Sequence, residues 1–277
     1  MDTVTVGPNR IAYRVAGSGL PLLLLHGWPF SHTSYDALVN RLAPHFTCYR
    51  PDTPGLGATQ WSEATDFSFG AQARSLRGFA DALGLQRYAL LGHDTGATIA
   101  RLLAAEDGRV ASLVLLNTEM PGHRPPWIPL YRHLAALPGR RAVFPLLLRS
   151  RRYLRSPLGF GGCFADPACI DQAFVARVIA PLLASPQRLD GMLRYLRGID
   201  WRVVDGLEAL HAKLSMPVQL IWGADDPTFP VALARRMASQ FPHASMAEIP
   251  AARLLVHEER PQAVADVALR FLDGVAG

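Results

Sequence analysis

Three short stretches of this chain carry side chains whose type and spacing suit covalent or acid–base chemistry. The sharpest is Leu91-Gly92-His93-Asp94-Thr95-Gly96-Ala97, which follows an apolar run and opens an apolar-faced helix from Ala97 to Ala105. Small residues two before and two after Asp94 permit a sharp, strained strand-to-helix turn. Such a turn lifts one side chain above the carboxyl edge of a sheet, at a helix N-terminus that favours an anion. Asp94 placed there can act as a nucleophile or as a general acid or base; the plainer alternative is an aspartate that only caps a helix. In Leu24-Leu25-His26-Gly27-Trp28-Pro29 a strand runs into a loop. Its backbone N–H groups, that of Trp28 above all, can form an oxyanion hole together with the N–H of Thr95. Leu220-Ile221-Trp222-Gly223-Ala224-Asp225-Asp226-Pro227 is again a strand followed by an acidic turn. The order Asp94, then an insertion, then Asp226 is that of a reacting carboxylate followed by a supporting acid. His26 and His93 sit beside glycines and read as structural hydrogen-bonders.

The elements that must position these residues follow from hydrophobic periodicity. Apolar runs at Ile11–Ala16, Leu22–Leu25, Phe46–Tyr49, Tyr88–Leu91 and Leu113–Leu116 read as buried strands. Helical patterns at Tyr35–Leu42 and Ala71–Leu83 alternate with them, which implies a mostly parallel sheet with helices on both faces. After Glu119 the strand signal stops. Helix-length apolar stretches are broken by Pro138, Pro145, Pro157, Pro167, Pro181 and Pro186, with a glycine-rich loop at 159–162. Alternation resumes with strand Val218–Trp222, helix Val231–Gln240, strand Ser245–Ile249 and helix Glu258–Leu272. The expected organisation is an α/β core from 1–119 and 214–277, interrupted by a helical cap over 120–213.

Composition narrows the class. A 277-residue chain that is 49% hydrophobic and 18% charged can bury a large core, which excludes a disordered tail protein. No apolar run is long enough to span a bilayer, and the Met1-Asp2-Thr3-Val4 start lacks the pattern of a signal peptide. The expectation is therefore a cytoplasmic protein with no membrane partner. Cys48, Cys163 and Cys169 have no metal-type spacing and form no disulfide framework. No glycine-rich nucleotide loop or metal-ligand cluster appears, so no cofactor is implied. Of the 28 basic residues all but Lys213 are arginine, and 13 of them fall between Pro121 and Arg202 against four acidic residues. Basic runs interleaved with aromatics on one element are missing, which argues against a nucleic-acid partner. A solvated arginine-rich surface and an electropositive lid both fit that bias.

Taken together, these stretches resemble the α/β-hydrolase superfamily over essentially the whole chain. They are most similar to its aspartate-nucleophile branch of epoxide hydrolases, haloalkane dehalogenases and fluoroacetate dehalogenases. The resemblance implies an eight-stranded, mostly parallel sheet with flanking helices and an inserted helical cap. It also implies that Asp94 is the nucleophile, that Trp28 and Thr95 supply the oxyanion hole, and that Asp226 is the acid. Glu119, at the end of the sixth strand, matches the point from which some dehalogenases draw that acid. In the family a histidine activates water to hydrolyse the alkyl ester. With Glu259-Arg260-Pro261 held in register, Leu254 occupies the histidine position and His257 falls three residues later. His257 is then the candidate base, and Tyr131, Tyr153 and Tyr195 are the cap tyrosines available to act as acids. Three readings follow: a hydrolase of epoxide or carbon–halogen type with an atypical base, a non-hydrolytic acid–base enzyme such as a cyclase, isomerase or lyase, and a binding protein. In each the partner is a small, largely apolar molecule; the sequence does not specify an oligomeric state.

Overall fold

The computed structural model describes residues 1–125 and 127–276. Eight strands form one sheet: β1 (Asp2–Val6), β2 (Asn9–Ala16), β3 (Leu20–Leu25), β4 (Phe46–Pro51), β5 (Tyr88–His93), β6 (Val110–Leu116), β7 (Val218–Gly223) and β8 (Ala244–Ile249). Their order is β1-β2-β4-β3-β5-β6-β7-β8, with β1–β2 and β2–β4 antiparallel and every other pair parallel.

Alternation along the central strands divides the core into two layers. Leu23, Leu25 and Leu90 face one side of the sheet, where α2 (Phe69–Ala82) and α3 (Thr95–Glu106) pack. Leu22, Leu24 and Leu91 face the other, against α1 (Asp36–Leu42) and the C-terminal helix Pro261–Ala276. Each such fully buried leucine contributes about 1.5–3 kcal/mol of apolar transfer. Helices on both faces explain why β3, β5 and β7 read as continuous apolar runs.

Two elements differ from the sequence expectation. Strand β1 had no apolar run to reveal it; it is a half-exposed edge strand whose Val4 pairs with Ile11. The expected helix Glu258–Leu272 is two helices, Val256–Glu259 and Pro261–Ala276. Pro261 lacks an N–H to continue the first and suits the opening position of the second.

Between β6 and β7 the described residues form helices and turns without a strand, among them α4 (Trp127–Ala136), α5 (Arg140–Arg149) and a helix at Pro186–Gly198. This segment closes over the carboxyl ends of the strands through specific contacts. Arg177 donates to both Glu258 oxygens, the Leu255 N–H donates to the Cys163 carbonyl at 3.1 Å, and the Trp28 indole donates to the Met192 carbonyl at 3.0 Å. At Gly198 a β-carbon would stand 2.2 Å from the Phe67 carbonyl oxygen, so only glycine lets that helix approach the core so closely.

Candidate active site

Asp94 follows β5 and caps α3 with φ 51° and ψ −132°, a conformation rarely adopted by residues other than glycine. Its surroundings impose it. A β-carbon at Gly96 would lie 2.1 Å from the Leu25 carbonyl oxygen, and the Asp94 N–H is held by the Asn117 carbonyl at 3.0 Å. The turn aims the carboxylate at the loop after β3, where the Trp28 N–H donates to Oδ2 at 2.9 Å. The polar groups of Thr95 lie near enough to this carboxylate to favour its charged form. Of the two backbone donors that the sequence assigned to an oxyanion hole, that of Trp28 is hydrogen-bonded to Asp94.

Burial nevertheless dominates its titration. Desolvation first, then the negative charge of Glu119, push the Asp94 pKa well above the usual carboxylate range, and the polar groups of Thr95 and Trp28 only partly oppose this. Glu119, at the carboxyl end of β6, is buried and lines the same cavity. Its Oε2 accepts the Thr98 hydroxyl at 2.7 Å and the Thr118 hydroxyl at 3.0 Å.

Both threonines lead to Arg101, a fully buried guanidinium that sequence reasoning passed over. Arg101 donates to the hydroxyls of Thr98 (2.9 Å) and Thr118 (2.8 Å), to the carbonyls of Ala97 and Glu119 (3.1 Å each) and to His211 Nε2 at 3.2 Å. Burial lowers its pKa to about 10, with Glu119 opposing, so it remains a cation at neutral pH. A buried cation and a buried anion are thus joined through two hydroxyls without touching directly. Asp94 stands as a third charge-capable group beside them.

Asp226 and His257 are not brought to Asp94. Asp226 accepts the Asn117 amide at 2.6 Å and the Thr228 N–H at 2.7 Å, and no imidazole bonds to it among the described residues. Asn117 in turn accepts the Gly223 N–H at 2.9 Å, so these residues tie the end of β6 to β7. Desolvation raises the Asp226 pKa to about 6. His257 is fully buried on the short helix Val256–Glu259, its Nε2 3.3 Å from the Ser34 hydroxyl, its ring 4.5 Å from that of His93 and 4.9 Å from that of Tyr35. The candidate base therefore packs outside the cavity. The reason is local: Leu254 turns its side chain into the cavity while its carbonyl accepts from His93 Nε2 at 2.9 Å, and His257 follows on the next turn.

His257 supplies a pH-dependent test of that placement. Desolvation, then the neighbouring His93 and Arg177, lower its pKa well below 6.5. A histidine held neutral by the fold stabilises it fully above the unfolded pKa, and that contribution falls as pH drops below 6.5. His257→Leu is expected to keep activity and to gain melting temperature relative to the parent between pH 7.5 and 5. An advantage that shrinks on acidification, or a large loss of turnover, contradicts a packing role.

The cavity itself is aromatic and apolar. Trp28, Phe30, Trp127, Phe160, Trp201 and Phe229 line it, with Asp94, Thr95 and Glu119 also in its wall. Tyr131 and Tyr153 also line it and their hydroxyls are hydrogen-bonded at 2.9 Å, a pairing of α4 with the chain beyond α5 that no sequence spacing signals. Tyr195 does not line the cavity. Its buried hydroxyl donates to Thr95 Oγ1 at 3.1 Å and so steadies the residue after Asp94 instead of facing a ligand.

Comparison with known proteins bears on the fold and the family. Haloalkane dehalogenase 2 of Mycobacterium tuberculosis is 28% identical over 261 residues, covering 93% of this chain and 89% of the relative. A soluble epoxide hydrolase of a Corynebacterium species is 34% identical over 113 residues, 41% of this chain and 39% of that protein. The solved structure of the epoxide hydrolase CorEH, without ligand, superposes with a TM-score of 0.84 at 23% identity, covering 99% of this chain and 98% of the other. The model of the alpha/beta hydrolase family matches residues 22–267, and the chain belongs to that family.

Proposed function

We propose that this chain is a hydrolase of small, largely apolar molecules with a strained carbon–oxygen bond of the epoxide type, and that Asp94 and Glu119 work in it as an acid–base pair. One observation carries this reading: Leu254, not a ring nitrogen, faces the cavity, while a second carboxylate, Glu119, opens into the same space as Asp94. Leucine takes no proton, so a route through an enzyme ester lacks its usual base. Two carboxylates in unlike surroundings divide the work as acid and base. Asp94, desolvated and beside a negative charge, holds a proton and gives it to the epoxide oxygen as the ring opens. Glu119 takes a proton from the attacking water, whose oxygen forms the new bond to carbon. The product is a diol, and the proton returns from Glu119 to Asp94 through solvent. The epoxide hydrolase relative supports this choice of substrate bond.

A second reading is favoured by the strained turn and by the Trp28 N–H aimed at Oδ2: Asp94 attacks carbon and forms an alkyl ester that persists. A single turnover separates the two. Enzyme in excess is mixed with an apolar epoxide such as styrene oxide in oxygen-18 water, and both product and intact protein are weighed. The acid–base pair yields a labelled diol and an unchanged protein mass. A protein heavier by one epoxide, or a first-turnover diol with an unlabelled oxygen, means ester formation, and Leu254→His then speeds its release. Neither diol nor adduct across aryl and alkyl epoxides rejects both readings for this class of substrate, leaving isomerisation or binding.

A further inference from the structure

The chemistry at Asp94 makes no use of the outer face of the cap, which combines positive charge with exposed apolar side chains. Phe144 and Leu148, one turn apart on α5, are buried and line the cavity. Leu146 projects from the opposite face of the same helix and is 70% exposed, with Val143 at 43% and Leu158 at 52%. From Leu137 to Leu158 the chain has six arginines and no acidic residue. Arg141 is paired with Asp190, and Arg155 donates to the Ile170 carbonyl. Arg149, Arg151 and Arg152 are exposed and have no ion pair among the described residues. Leu158 belongs to both surfaces: it lines the cavity and is half exposed, so it stands at the cavity mouth.

We propose that this face of α5 and the turn after it docks on a lipid bilayer carrying anionic headgroups, and that apolar substrate passes from the bilayer into the cavity beside Leu158. Arginines next to exposed leucines form the surface that such an interface attracts, through charge first and apolar insertion second. Such docking departs from the expectation of no membrane partner, which rested on the lack of a spanning segment. No helix of the described residues is long and apolar enough to cross a membrane. The contact is therefore with the bilayer surface. It does not depend on which reaction Asp94 performs.

Co-sedimentation of the full chain with phosphatidylcholine vesicles, with and without phosphatidylglycerol, tests this. Binding is expected only with phosphatidylglycerol, and it weakens as salt is raised. The combined Arg149→Ser, Arg151→Ser and Arg152→Ser variant is expected to bind on the order of a hundredfold more weakly, because each basic residue near an anionic surface contributes about fivefold. Leu146→Asp weakens binding on the order of tenfold. All four positions are exposed, and circular dichroism melts check that each variant is folded. No pelleting of the parent with anionic vesicles overturns the proposal, as does equal binding by the parent and the triple variant, or binding indifferent to phosphatidylglycerol.

Discussion

Asp94→Asn is expected to lower turnover by about 10²–10⁴-fold, the usual contribution of a positioned proton donor, while leaving the protein more stable than its parent. The loss follows from chemistry alone. The amide oxygen still accepts the Trp28 N–H, so the elbow keeps its shape, but an amide neither gives up a proton at neutral pH nor attacks carbon. The gain follows from electrostatics. Burial and Glu119 raise the Asp94 pKa, so the folded state holds this proton more tightly than the unfolded chain does. A group of that kind contributes its full stability at low pH and loses it as pH rises through the folded value. Asparagine has no such loss, so its melting-temperature advantage grows from pH 5 to pH 8.5. Melts at the two pH values and product formation at one suffice. A variant that melts lower throughout, or that retains a tenth of the parent's activity, removes Asp94 from the role assigned to it. Glu119→Gln is the companion measurement, because only the acid–base reading requires both carboxylates.

Arg101→Met is expected to be the most destabilising single change near the site, by about 3–5 kcal/mol, the cost of breaking a buried charge pair from one side. Methionine fills much of the same volume, so the deficit is electrostatic. Without the guanidinium the Glu119 carbonyl and the Nε2 of His211 lose their donor, and Glu119 is left as a buried anion beside Asp94. For a chain of this size the melting temperature falls on the order of 10 °C. Lysine at the same position restores a charge, but its point donors cannot reproduce a planar fork that reaches two hydroxyls and three other acceptors, so it recovers only part of the loss. Urea denaturation of the three proteins ranks them; a methionine variant within about 1 kcal/mol of the parent shows that the pair contributes no net stability.

What could be read from the sequence follows from how local the determining forces are. Central strands bury both faces, so Leu22–Leu25 and Tyr88–Leu91 declare themselves as unbroken apolar runs. β1 covers only a sheet edge, so its alternating threonines and valines form no apolar run of the kind by which the central strands are found. The turn at Asp94 was legible because Gly92 and Gly96 stand where side chains would strike neighbouring backbone, a constraint contained in five residues. Glu119 was reached only through the family resemblance, as an alternative to Asp226 and not as a partner of Asp94. Glu119 lies 25 residues after Asp94 and meets it only because β5 and β6 are parallel neighbours. Arg101 looked like one polar residue on an amphipathic helix, and only the fold shows its side chain turned inward to bridge α3 and the end of β6. The same limit applied to Tyr195, whose burial against Thr95 depends on how the cap is seated.

The indole of Trp28 adds a mechanical constraint. Its backbone N–H grips the Asp94 carboxylate, while its ring nitrogen is moored to the Met192 carbonyl in the cap. The roof of the site and the donor at its floor are therefore two ends of one residue. Any shift of the helix that carries Met192 would be felt at the donor to Asp94, so the seating of the cap and the polarisation of the carboxylate are coupled through one side chain.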